Sequence, residues 1–202
     1  MPRPKRRTPE LRDRVLSAAT DLLAREGVAG FTARGVARAA GTSTPAVYEL
    51  FGDKGGLVRE MFFAGFRLLG QQLHLLADTD DPRADLIRLV LIYRDFVRDN
   101  PVLSQVMFSR PFSDFDPEPE ELEASSAVRI FIVVHVRRCI DAGVLQGDET
   151  DIAHIVIALT QGLAAAEIAR RLGTSPKSIN RRWELGLNAL LAGLARHGSP
   201  EP

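Results

Sequence analysis

The sequence predicts an all-α protein: a three-helix N-terminal head followed by a larger helical body, about nine helices in all. Three observations predict it. Between Thr32 and Lys54 the run TARGVARAAGTSTPAVYELFGDK holds two short helices, their caps and the turn that separates them. Elsewhere, apolar residues recur at the three- and four-residue intervals of one helix face. No segment shows the convincing alternation of a strand.

Taken in order, Thr8 is placed to cap a first helix with Pro9 at its first position, where a missing amide costs nothing. Leu11, Val15, Leu16, Ala19, Leu22 and Leu23 form its apolar stripe, which ends before Gly27. Thr32 caps a second helix whose inward side is Val36, Ala37 and Ala40, small enough for close crossing, and Gly41 ends it. Ser43 caps a third helix with Pro45 in its first turn, and Val47 and Phe51 share its inward face. Thr44, Pro45, Tyr48 and Glu49 then face outward, a mixed polar surface of the kind a recognition helix presents to the major groove. This is the spacing of a helix-turn-helix. A pair of core helices joined by a tight turn would share part of the pattern.

Asp53 caps a fourth helix opened by Lys54, and from Leu57 onward Met61, Phe62, Phe63, Phe66, Leu68, Leu69, Leu73 and Leu76 leave little of it polar. Such a helix is buried on more than one side. Asp78 to Pro82 breaks it. A fifth helix from about Arg83 carries Leu86, Leu89, Val90, Tyr93, Phe96 and Val97 up to Asn100 and Pro101, and a short sixth spans Val102 to Phe108. Ser109 to Glu121, with three prolines and five acidic residues, reads as an exposed loop. Further helices are expected over Glu123 to Ala142, Asp151 to Leu172 and Pro176 to Ala195, the last with Ile179, Trp183, Leu187, Leu190, Leu191 and Leu194 on one side.

Composition narrows the function. Formal charge is zero over 202 residues, yet Met1 to Lys54 carries ten Lys and Arg against six Asp and Glu. The basic end is the helix-turn-helix end. Arg3, Lys5, Arg6 and Arg7 form an arm that either follows phosphates or a minor groove, or is simply solvated. Cys139 is the single cysteine, which leaves no disulfide framework and no cysteine-rich metal site. With no apolar run both long and charge-free enough to span a bilayer, and Thr8, Pro9 and Glu10 in place of a leader core, a cytoplasmic address is expected.

A stripe-bearing first helix, then this run, then a larger helical body resembles the TetR family of bacterial transcriptional regulators. The family's Thr, Ala-rich helix, Gly, Ser, Tyr, Phe and Lys stand here as Thr32, Val36-Ala37, Gly41, Ser43, Tyr48, Phe51 and Lys54. In the body, YRDFVRDNPVLSQVMF, TQGLAAAEIARRLG and LLAGLA are similar to one subgroup's ligand and dimerisation domain. The resemblance implies phosphate contacts from Thr32, Tyr48 and Lys54 and base-edge contacts from Thr44 and Pro45, with Ser43 opening the reading helix and exposed Arg34 a further candidate. Two departures stand out: Leu50 lies where the family often has histidine, and Glu49 brings a negative charge to the DNA side. Glu49 either accepts from a cytosine amino group or points to solvent.

Domains are expected at 1–52, a helix-turn-helix domain with its basic arm, and 53–197, a ligand-binding and dimerisation domain. A homodimer through the last two helices would set two reading helices about 34 Å apart on a palindromic operator. Phe62, Phe66, Tyr93, Phe96, Met107, Phe108 and Phe131, with His135, Tyr93 or His154 as polar handle, either line an apolar effector cavity or are ordinary core. No cofactor is called for. The function expected is a ligand-responsive repressor; its rival is a helical protein-interaction adaptor that binds no DNA.

Two other readings compete locally. Glu167 to Trp183, EIARRLGTSPKSINRRW, imitates a second helix-turn-helix, but only if a short helix starts near Ala164 instead of one long helix running through it. An enzyme built on His135, Cys139 and Asp141 lacks a third ligand or a triad partner at matching spacing.

Overall fold

The computed structural model describes residues 8–109, 112 and 119–195, and among these all regular structure is helical. The helices are α1 (Pro9–Gly30), α2 (Ala33–Ala39), α3 (Thr44–Phe51), α4 (Lys54–His74), α5 (Pro82–Asp99), α6 (Pro101–Phe108), α7 (Pro119–Asp141), α8 (Glu149–Ile168) and α9 (Pro176–Ala195). The basic arm at Arg3, Lys5, Arg6 and Arg7 lies outside the described residues.

The expected caps are present. Thr8, Thr32 and Ser43 each accept a backbone N–H three residues on, from Leu11, Gly35 and Ala46. Helical geometry in α1 is interrupted at Gly27, as its placement after the stripe predicts. Ala40 corrects one expectation. The inward side of α2 is Ala33, Val36 and Ala37, while Ala40 is the half-buried C-cap.

Later boundaries move. Helix α7 begins at Pro119, inside the stretch read as a loop, because proline fits a first helical turn and the acidic residues after it favour a helix start. Helix α8 starts earlier, capped by Asp148 through the amides of Thr150 and Asp151, and ends at Ile168 instead of Leu172. Its end is a left-handed cap: Arg170 has φ 56°, and the Arg171 amide donates back to the Ala166 carbonyl at 2.8 Å.

Helix α8 also answers the bilayer question differently. At 20 residues it is long and apolar enough to cross a membrane, and less than a third of its most apolar stretch is buried. Its apolarity serves two sides at once. Ile152, Ala153, Val156, Thr160 and Ala164 are buried, and α8 packs on α5 and α9. Asp151, Ile155, Ala158, Gly162 and Ala165 lie on the exposed side.

The chain divides into two compact units, Met1–Arg67 with Val102–Ala124, and Leu68–Pro101 with Ser125–Pro202. The first is built on Val15, Ala19, Leu22, Phe31, Val36, Val47, Leu57 and Met61, all essentially sealed from solvent. The second is organised around Trp183, Phe96, Leu86, Leu89 and Val136, and its described residues include a buried polar cluster on Asp85 and a half-buried one on Glu167.

In one cluster, fully buried Asp85 accepts from the Thr79 amide (2.8 Å), the Thr79 hydroxyl (2.7 Å), Arg138 (2.9 Å) and Arg88. Burial pushes this carboxyl up, but those donors outweigh burial and hold it well below the usual range. In the other, Arg94 forks onto Glu167 at 2.7 and 2.9 Å, and the Trp183 indole N–H donates to the same carboxylate at 2.6 Å. Burial again acts upward on Glu167, and Arg94 and Trp183 bring it down.

Both carboxyls therefore stabilise the fold most fully above the ordinary carboxylate pKa of about 4, and the stabilisation is lost as pH falls toward their depressed folded values. Melting curves from pH 7 to pH 2 are expected to show a steep fall in Tm below about pH 4. In Asp85→Asn, Tm at neutral pH drops and the acid slope flattens; an unchanged slope would contradict this assignment.

Candidate nucleic-acid interface

Helix α3 is held from three directions. Its inward residues Val47 and Phe51 are buried, and α2 packs on both α1 and α3. The turn before it depends on Gly41, whose φ of 64° lets the Thr42 amide reach the Ala37 carbonyl at 2.9 Å. Its far end is gripped by Arg12 of α1: one guanidinium nitrogen donates to the Leu50 carbonyl at 3.3 Å, the group stacks 4.9 Å over the Phe51 ring, and it pairs with Glu60 of α4. Glu60 is also paired to Arg67 at 2.8 Å.

The junction to α4 is equally tight. The Gly52 amide returns to the Tyr48 carbonyl at 2.8 Å, and Asp53 caps α4 by accepting from the Gly56 amide at 2.7 Å. At Gly56 a side chain has no room: a Cβ would sit 1.8 Å from the Phe51 carbonyl oxygen. The carbonyl end of α3 thus abuts the first turn of α4.

The outward surface carries the expected residues. Tyr48 is 47% exposed, Pro45, Glu49 and Arg34 are exposed, and Thr44 is half-buried. Thr32 and Ser43 are exposed at the starts of α2 and α3. Each hydroxyl oxygen accepts its capping amide, which leaves the O–H hydrogen available to a phosphate. Lys54 is exposed at the first position of α4, its ammonium 5.8 Å from the Phe31 ring centre and 5.3 Å from that of Phe112. Thr32, Ser43, Thr44, Tyr48 and Lys54 thus all lie on capped, packed helix starts or on α3 itself.

The aromatic residues singled out for an effector fall in both units. In the first, Phe66 stacks on Phe62 at 4.8 Å and meets Phe108 edge-on at 5.7 Å, and Met107 is buried. In the second, Phe131 lies 4.5 Å from the His135 ring and 5.3 Å from that of His74. His135 is 3% exposed; its Nδ1 meets the Phe131 carbonyl at 2.9 Å and its Nε2 lies 3.2 Å from an Asp78 oxygen. Phe96 is fully buried, and burial pushes the Tyr93 phenol up. His154 is exposed on α8.

Cys139 is the opposite of an activated nucleophile. Its sulfur is buried and donates to the Pro82 carbonyl at 3.2 Å, and burial drives its pKa up to about 11. Glu167 is spent on Arg94 and Trp183, and α8 runs unbroken through Ala164, so the short helix that a second helix-turn-helix requires is replaced by a long one.

Comparison with known families decides the grouping. Residues 15–61 match the profile of bacterial regulatory proteins of the tetR family, and residues 86–190 match the tetracyclin repressor-like C-terminal domain, which alone spans more than half of the chain. The chain belongs to the TetR family. Among solved structures, a protein of unknown function from Rhodococcus sp. RHA1 superposes with TM-score 0.81 at 25% identity, over 96% of this chain and 100% of that one. The TetR family transcriptional regulator PfmR from Thermus thermophilus gives 0.72 at 19%, over 90% and 99%. A bacterial regulatory protein in the tetR family from Rhodococcus RHA1 gives 0.72 at 19%, over 91% and 98%. A search among curated proteins returns no match.

For a TetR-family chain, then, the sequence motif placed α3 and its exposed side but left Arg12 and Phe112 unread. Arg12 reads as one more charged residue on the outside of an amphipathic helix, and its partners Leu50 and Glu60 are 38 and 48 positions away. Phe112 stands between prolines and acidic residues in a stretch with no period, yet it is buried against Phe31 at 5.4 Å.

Proposed function

We propose that the chain is a ligand-responsive transcriptional repressor that grips a palindromic operator as a homodimer and is released by a small, largely apolar molecule. The observation that carries this reading is α3 itself: buried through Val47 and Phe51, clamped at its end by Arg12, and exposed along Pro45, Tyr48 and Glu49, with Thr32 and Lys54 on either side. A helix so fixed and so presented suits the major groove, and the flanking groups suit phosphates. Thr44 and Pro45 meet base edges; Thr32, Arg34, Ser43, Tyr48 and Lys54 meet the backbone. Residues 1–52 read DNA, and residues 53–197 bind the effector and the second copy, all in the cytoplasm where the DNA lies.

The dimer forms through α8 and α9. Beside the exposed side of α8, α9 exposes Leu185 (68%), Ala189 and Ala192, small and apolar side chains that allow two helix pairs to approach closely. Effector contacts are proposed at Phe62, Phe66, Tyr93, Phe96, Met107, Phe108, Phe131 and His135. Driving a dimer from almost wholly bound to almost wholly released takes ~5.5 kcal/mol of differential affinity, within reach of burying a medium-sized apolar ligand.

Gel shifts against duplex fragments that the protein selects from genomic DNA test this. Wild-type protein retards them, and Tyr48→Phe and Lys54→Ala each weaken binding, with Lys54→Ala lowering the salt dependence by about one phosphate contact. If folded variants bind as tightly as wild type, α3 is not the reading helix; if the wild-type protein retards no duplex, the helical adaptor takes its place.

A further inference from the structure

Lys54 occupies an electrostatically awkward position. It is the first residue of α4, at the positive end of the helix dipole, where a cation is disfavoured. Two rings compensate it. Phe31, 1% exposed, and Phe112, 7% exposed, pack at 5.4 Å with their planes inclined at 57°, and the Lys54 ammonium lies within 6 Å of both centroids. Within that distance an aromatic face attracts a cation. Lys54 itself is exposed, so its ammonium lies near both rings and still reaches water. Phe31 belongs to the α1–α2 junction. Phe112 comes from beyond the helix-turn-helix, four residues after α6 ends, within the same compact unit.

We propose that Phe112 is a positioning residue for DNA binding: with Phe31 it seats the Lys54 ammonium beside the start of α4 and so fixes the direction from which that lysine reaches a phosphate. The proposal rests on the DNA-binding reading above and adds to it a residue outside the reading motif. A lysine carries several rotatable bonds, and restraining them before contact reduces the entropy lost on binding.

The test uses the full-length protein and a duplex that the wild-type protein selects from a random-sequence pool, with affinity measured across a salt series. Phe112→Leu keeps an apolar side chain and removes the ring. It is expected to weaken binding about two- to fivefold and to move the salt slope toward that of Lys54→Ala. In a Lys54→Ala background it should have no further effect. Phe112→Tyr retains the ring and should bind like wild type. Independent effects of the two substitutions, a tyrosine variant no better than leucine, or tighter binding by Phe112→Leu would overturn the proposal.

Should Phe112→Leu fail to fold, proton NMR of the wild-type protein decides the seat itself. Ring currents from two phenylalanines are expected to shift the Lys54 ε-methylene upfield, and random-coil shifts would overturn the proposal. If the wild-type protein selects no duplex while the upfield shift is present, the DNA-binding reading falls and takes the positioning role with it; if it binds duplex and the shift is absent, only the seat falls.

Discussion

Ile155→Glu combined with Leu185→Glu is expected to leave a folded monomer with operator affinity about 1,000-fold weaker or worse. Both side chains are exposed in the single chain, at 45% and 68%, and neither belongs to the buried core. Placed in a dimer interface, four introduced carboxylates would face one another across apolar, small-residue surfaces, and desolvating them without partners is prohibitive. A single reading helix touches only a few base pairs, and affinity then falls from the range of specific complexes toward that of non-specific ones. Sedimentation and anisotropy on the same samples check both halves of this expectation. A variant that remains dimeric would remove α8 and α9 from the interface.

Trp183→Ala is expected to cost about 3–5 kcal/mol of folding stability. The indole is fully buried, Arg94 stacks 5.0 Å over it, and its N–H donates to Glu167. Truncation therefore opens a cavity and takes one donor from a half-buried carboxylate that also holds Arg94. Trp183→Phe separates the two effects: it keeps most of the packing and should lose clearly less. Denaturant unfolding of the three proteins supplies the comparison, and equal losses in both variants would place the stabilisation in the hydrogen bond instead of the packing.

The contrast between these clusters and α3 explains what the sequence could disclose. Caps at Thr8, Thr32 and Ser43 are local events, each settled within three residues, so they were legible before any fold was known. The inward pair Val47 and Phe51 was legible for the same reason, and so was the outward set with Tyr48. Asp85 was not: its arginine partners sit three residues away on the same helix and 53 away on another, and a lone acid in an amphipathic helix looks like a solvated one. Arg12 and Phe112 escaped for the same reason of distance. The end of α8 escaped because Arg170 takes a left-handed cap usually given to glycine.

The resemblance to TetR-family regulators added something that local chemistry could not. Periodicity alone allowed two core helices with a tight turn, whereas the ordered run from Thr32 to Lys54 pointed to a nucleic-acid role for specific side chains. Packing then supplied the reason that these side chains are held still: Gly56 leaves no space between the end of α3 and the start of α4, and Arg12 ties the same end to Glu60.

Titrating the purified protein onto a duplex selected from genomic DNA, over a range of salt concentrations, tests the central claim most directly. Two chains per duplex are expected, with an affinity whose logarithm falls linearly with the logarithm of salt concentration, at a slope set by the phosphates contacted. Binding of one chain per duplex, or no salt-sensitive affinity for any fragment, would contradict it.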